Sequence, residues 1–111
     1  MAVPESSPWP GGELGFGTAE RAVGIRCYRA KESFFRPYVL LRAMALSEAQ
    51  LTFTFADEEV IVRGRGLHTL YTAAAEGRLA WLCEQSERVA VAGDSPVAIT
   101  HIELVPLRDR N

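Results

Sequence analysis

Apolar and polar residues alternate most regularly in "QLTFTFADEEVIVRG", residues 50–64. Leu51, Phe53 and Phe55 are separated by Thr52 and Thr54, and Val60, Ile61 and Val62 follow the polar reversal "ADEE". Period-two alternation of aromatic and β-branched residues marks a half-buried strand, so the segment predicts a β-hairpin with one face on the core. Cross-strand pairs contribute roughly 0.2–1 kcal/mol each, too little to hold an isolated hairpin, so a second layer is required. The next residues supply it. Leu67, Leu70, Tyr71 and Ala74 recur at i, i+3, i+4 and i+7, the stripe of an amphipathic helix over about 67–77, with Gly77 placed for a left-handed C-cap.

Weaker alternations flank this centre. Val23, Ile25 and Cys27 alternate with Gly24, Arg26 and Tyr28 and predict a half-buried strand. "RLAWLCEQ" predicts a strand with Leu79, Trp81 and Cys83 on one face, and "VAITHIELVPL" a last strand after a polar stretch broken by "AGDSP". A charged, aromatic link, "KESFF", leads to Arg36-Pro37. Over 37–46 the pattern leaves two readings open: Leu40, Leu41 and Met44 fit a helix face, while the brevity and the hairpin that follows fit a turn and strand. Together these elements predict an α+β domain, a small antiparallel sheet of about five strands with one main helix, 67–77, packed on it. Residues 1–18, rich in proline and glycine, predict a flexible arm ahead of a single domain, 19–111. Trp9 and Phe16 are its aromatic exceptions, expected to dock on the domain or on a neighbouring subunit.

Composition narrows the functional classes. A chain of 111 residues with 48% apolar and 23% charged residues has globular composition and the length to bury a core without metals or disulfides. A net charge of -2 exerts no global pull on nucleic acid, so any polyanion site has to be a local patch. Cys27 and Cys83 stand alone in apolar surroundings without zinc-like spacing, which predicts buried, reduced thiols and no metal or cofactor. The N-terminus lacks the basic start and apolar region of a signal peptide, and no apolar run approaches the roughly 20 residues of a membrane span; the expectation is a soluble, cytoplasmic chain.

Four groups of residues are candidates for chemistry. Gly64-x-Gly66 between a strand and a helix, with Glu84 beyond, outlines a dinucleotide fingerprint. Its third glycine position is Thr69, and too little chain follows Glu84 for further βαβ units, so the two glycines are expected to end the strand and let the helix fold back. Arg63 and Arg65 share a face of the strand end beside the helix start, where with His68 they form a candidate anion-binding set; the competing reading pairs them with Asp57, Glu58 or Glu59 at the surface. His68, Cys83 and Glu84 could be drafted as the base, nucleophile and orienter of a small enzyme, and His101 is the remaining histidine, yet no sequence signature links them. The aromatics Phe34, Phe35, Tyr38, Phe53, Phe55, Tyr71 and Trp81 could stack bases, but Phe53 and Phe55 lie on the face that the helix should cover, which makes core the expected role.

Pro37-Tyr38 followed by Leu41-Arg42, the hairpin, Val62-x-Gly64-x-Gly66-Leu67 and Leu70-Tyr71 resemble a small bacterial α+β domain family of unknown function, over about residues 34–84. The resemblance implies the hairpin-then-helix order and brings no catalytic residue with it. The function expected is a non-enzymatic interaction or structural module that self-associates, with a homo-oligomer or protein partner, no membrane, and nucleic acid unlikely as a ligand. The rivals are an anion, nucleotide or nucleic-acid binder using Arg63 and Arg65 at the helix start, and a small enzyme using His68, Cys83 or Glu84.

Overall fold

The computed structural model describes residues 15–29, 31–85 and 96–107. Over these residues the chain forms β1 (Phe16–Thr18), β2 (Gly24–Tyr28), β3 (Ser33–Pro37), a 3₁₀ turn (Tyr38–Leu40), β4 (Leu41–Leu46), β5 (Gln50–Phe55), β6 (Glu58–Arg65), α1 (Leu67–Ala75), β7 (Leu79–Cys83) and β8 (Ala98–Pro106). The strands make two sheets of four, in the orders β1-β7-β2-β3 and β4-β5-β6-β8. The α+β class agrees with the sequence reading, while a single antiparallel sheet of about five strands is corrected to two sheets. Every pairing is antiparallel except β2 with β7. The reason lies in α1, which carries the chain from β6 in one sheet to β7 in the other, so that β7 enters between β1 and β2.

The extra strands come from segments without a clear alternation. Phe16–Thr18, expected in the arm, pair with β7, and Phe16 packs on the core. Trp9 and most of "AGDSP" lie outside the described residues. The "KESFF" link supplies most of β3. Pro37 ends that strand because it has no N–H to donate, and the 3₁₀ turn then moves the chain into the second sheet as β4. Tyr38 anchors the crossing: its hydroxyl donates to Leu79 O at 2.6 Å. Arg36, stacked over Phe34 at 4.8 Å, joins the sheets again through an ion pair with Glu58.

The predicted hairpin forms with its core face as read. Leu51, Phe53 and Phe55 are at most 2% exposed, and Phe53 stands opposite Val60 on one side and Met44 on the other. Leu67, Leu70, Ala73 and Ala74 of α1 are buried with Ile25, Cys27, Leu79, Leu82, Ile99 and Ile102 in one cluster. The helix is two residues shorter than expected. Gly77, at φ +71, closes it by the predicted left-handed turn: its N–H donates to Ala74 O at 3.0 Å and that of Arg78 to Ala73 O at 2.8 Å, which satisfies two terminal carbonyls.

Three further expectations change. Val23 is 76% exposed, because the strand begins at Gly24 and Val23 instead gives its carbonyl to Tyr38 N–H. Leu79, Trp81 and Cys83 do not share one face. Gly17 stands opposite Trp81 and Thr18 opposite Leu79, so Ala80 is a bulge residue that puts Leu79 and Leu82 in the core and leaves Trp81 half-buried. Gly64 lies inside β6, where the register with β8 shifts, and does not end the strand.

Both thiols are free and buried. Burial pushes Cys27 from 9.0 up to about 12, against smaller opposing effects of Arg36 and Arg29. Burial likewise pushes the Tyr38 phenol from 10.0 up to about 12. Between the unfolded and folded values the native state holds more protons than the unfolded chain, so stability falls as pH rises from about 9 to 12. Urea midpoints are expected to drop across that window, and Cys27→Ala should flatten its lower part. An alkaline slope unchanged in Cys27→Ala would contradict the assignment to this thiol.

Candidate functional site

The outer edges of the two sheets differ in how their backbone groups are met. An exposed edge offers unpaired N–H and C=O groups to another chain, and natural sheets blunt such edges with prolines, charges, short strands or cover. The outer side of β8 is sealed by the residues that follow β7. Ile99 N–H donates to Gln85 Oε1 at 2.8 Å, Gln85 N–H donates to Ile99 O at 2.9 Å, and Ile102 N–H donates to Glu84 Oε2 at 2.7 Å. On β3, Pro37 lacks an N–H, and Arg36 Nη1 donates to Phe35 O at 2.9 Å. β1 is only three residues long.

Among the described residues the edge of β4 carries few of these protections, a single charge and a register shift at its start between Leu41 and Ala43. Its sequence, Leu-Arg-Ala-Met-Ala-Leu, has one charge and no proline. Ser47 N–H donates to Gln50 O at 2.8 Å, and from that pair the antiparallel ladder turns the backbone of Ala45 and Ala43 toward Thr52 and Thr54 of β5. The N–H and C=O of Met44 and Leu46 therefore face away from the sheet. Among the described residues they have no hydrogen-bond partner. Apolar side chains lie at both ends of this edge: Val39 is 86% exposed, Leu40 44% and Leu46 39%.

Of the anion-binding set, Arg63 and Arg65 lie on β6, where Arg63 pairs with Gln50 beside the β4–β5 turn, and His68 lies in α1. Arg63, on β6, is exposed, and its Nη1 lies 3.1 Å from Glu103 Oε1. The expected surface pairing of this arginine thus has a different acid, supplied by β8 and not by the hairpin turn. Arg65 is also exposed. His68, in the first turn of α1, lines an open groove of about 420 Å³ with Phe16, Thr18, Thr72, Glu76 and Arg78, and neither Arg63 nor Arg65 is among its walls.

Of the residues drafted for a small enzyme, Cys83 and Glu84 are neighbours, while His68 lines the groove beside β1. Glu84 lines a different hollow, with Arg29, Lys31 and Glu32, and its carboxylate accepts the Ile102 N–H. The Cys83 thiol donates to Glu84 O at 3.6 Å, and burial, followed by the charge of Glu84, raises its pKa. A raised thiol holds less of the nucleophilic thiolate at neutral pH. His101 is exposed on β8, opposite Arg63. Among the described residues no group of three or more His, Cys, Asp or Glu is placed to hold a metal ion.

The aromatics divide between core and surface. Phe53 and Phe55 stack within the core with ring centres 6.5 Å apart, and Phe34, Tyr38 and Tyr71 pack against it. Phe35 and Trp81 instead flank Arg26 in one row on the outer face of the first sheet. Arg26 lies 5.4 Å from the Phe35 ring centre, and Tyr28 meets Trp81 edge-on at 6.4 Å. The guanidinium in that row is thus already stacked on a ring of its own chain.

Sequence reasoning missed the β4 edge because residues 37–46 fitted helix and strand alike. The signal that could have found it is the alternation Arg42-Ala43-Met44-Ala45-Leu46-Ser47-Glu48, small residues at every second position and opposite charges at the two ends. Comparisons of the chain with protein-family models, with curated proteins and with solved structures gave no match. Among the described residues, no helix is long and apolar enough to cross a membrane.

Proposed function

We propose that this protein is a non-enzymatic interaction module that self-associates. The observation that carries the reading is the β4 edge, where among the described residues the backbone of Met44 and Leu46 is unpaired and the side chains of Leu40 and Leu46 are exposed. An apolar, proline-free edge of this kind is a template for β-sheet extension, and main-chain hydrogen bonds to an added strand supply the affinity. The contrast within the molecule adds support, since the edge of β8 is closed by Glu84 and Gln85 while no described residue closes that of β4 in the same sheet.

An interface built on one short strand is small, so association is expected to be concentration-dependent and reversible. Sedimentation velocity over a wide concentration series should show a monomer growing into a defined oligomer. Leu46→Lys puts a charge beside the open edge and should shift the equilibrium toward monomer with little change in melting temperature, because Leu46 is already 39% exposed in the single chain. A wild-type chain that stays monomeric throughout the series overturns the reading.

The anion-binding reading of Arg63, Arg65 and His68 rests on chemistry alone, since an anion reaching Arg63 must compete with Glu103. Its test is oligonucleotide binding at low salt, which Arg63→Ala with Arg65→Ala should abolish.

A further inference from the structure

We propose that the partner at this edge is a second copy of the same chain, and that two β4 strands pair antiparallel about a two-fold axis passing by Ala45. The inference rests on the self-association reading and adds the partner, the register and the residues that choose it.

The sequence of the edge is complementary to itself in this one register. Ala45 meets Ala45 of the partner subunit on the axis, and Met44 stands opposite Leu46 of the partner subunit. One step further out, Ala43 stands opposite Ser47 of the partner subunit. Beyond these ladder positions, Arg42, at the register shift of β4, and Glu48 of the partner subunit, in the turn that follows its β4, come to the same end of the interface, and by symmetry each of these approaches occurs twice. Small residues face small ones, apolar face apolar, and each positive charge meets a negative one. Arg42 and Glu48 are both exposed, and among the described residues neither is joined to another by an ion pair within its own chain.

The backbone agrees with this register. The free N–H and C=O groups belong to Met44 and Leu46, so the Met44–Leu46 pairs are the hydrogen-bonded ones, each exchanging two bonds. Ala45, whose own groups are bonded to β5, falls at a non-hydrogen-bonded pair on the axis. The two four-stranded sheets containing β4 would continue as one. The neighbouring registers place Met44 against itself or Leu46 against itself, and neither brings Arg42 beside Glu48 of the partner subunit. Opposite charges brought to the two ends of the paired strands attract and like charges repel, so the charges at the register shift and in the turn favour this register over its neighbours.

Ala45→Cys tests the geometry directly. Paired Cα atoms at a non-hydrogen-bonded position lie about 4.5 Å apart, within the range that a disulfide spans. Ala45→Cys is therefore expected to form a covalent dimer under mild oxidation, and Ala43→Cys, which faces Ser47 of the partner subunit, is not. The natural Cys27 and Cys83 are buried and should not contribute. Charge reversal tests the selection. Arg42→Glu alone and Glu48→Arg alone should each weaken association at least about tenfold, while an equimolar mixture of the two variants should recover it as a heterodimer, because both cross-pairs are then opposite in sign. If the wild type oligomerises but Ala45→Cys does not crosslink, or the mixture fails to recover, this register is wrong and self-association uses another surface. If the wild type is monomeric at every concentration, the underlying reading fails as well.

Discussion

Gly66→Ala is expected to lower the stability of the protein by about 2–5 kcal/mol, combining left-handed strain with overpacking of a tight contact. Gly66 has φ +68, and a Cβ at this position would lie 2.1 Å from Pro96 O, the backbone that leads into β8. No rotamer change relieves a clash with a carbonyl. Gly77 provides the internal comparison, since it has nearly the same conformation at φ +71 but no atom within 4 Å of where its Cβ would stand. Gly77→Ala should therefore cost only the conformational strain, about 1–2 kcal/mol. Urea denaturation of both variants measures the difference. Equal losses would mean that the close approach between Gly66 and Pro96 does not hold in solution. The neighbouring position follows the same logic, because a Cβ on Gly64 would lie 1.9 Å from Ala98 O across the β6–β8 ladder.

Phe53→Ala should cost about 3–5 kcal/mol, the range for removing a large aromatic side chain from a packed core. Phe53 is 1% exposed, at the centre of the hairpin, with Met44 and Val60 opposite it and the ring of Phe55 stacked beside it. A loss of that size is a large part of the roughly 5–15 kcal/mol that stabilises a domain, so a marked fall in melting temperature is expected. Phe35→Ala is the matched control: that ring is 37% exposed and rests on Arg26, so its loss should be well below that of Phe53. Thermal melts of the two variants that coincide would place Phe53 outside the cooperative core.

The parts of the fold legible in the sequence are those where local pattern and final environment coincide. Leu51, Phe53 and Phe55 alternate because one face of β5 is buried, and Leu67, Leu70 and Ala74 recur at helical spacing because one side of α1 is. Gly77 is readable as the helix stop for the same reason, as a left-handed cap is a local event. The strands that escape a sequence reading have no such pattern. β3 alternates weakly because it lies at the edge of its sheet, and β1 is too short to alternate at all. At β7 the pattern misleads. Leu79, Trp81 and Cys83 alternate in sequence, but the bulge at Ala80 breaks the period and exchanges Trp81 for Leu82 in the core.

The candidate site shows the same division. Arg63, Arg65 and His68 are close in sequence and chemically suggestive, but Arg63 faces Glu103, forty residues away, and His68 faces a groove walled by β1 and α1. The alternation over 42–48 could mark β4 as a strand but not its edge as open, because openness is a property of what fails to cover a strand. Glu84 and Gln85 are equally ordinary as sequence, and only their position beside β8 makes them its seal.

By itself, then, the sequence determined the hairpin, the helix with its stop, the buried thiols and the α+β class, because each follows from short-range periodicity and the cost of burying polar groups. Only the tertiary structure decided that the strands divide between two sheets, that one pairing is parallel, and that among the described residues the outward backbone of Met44 and Leu46 in β4 is left unpaired. Those outcomes depend on where α1 and the 3₁₀ turn carry the chain, and such long-range placement leaves no mark on the alternation of neighbouring residues.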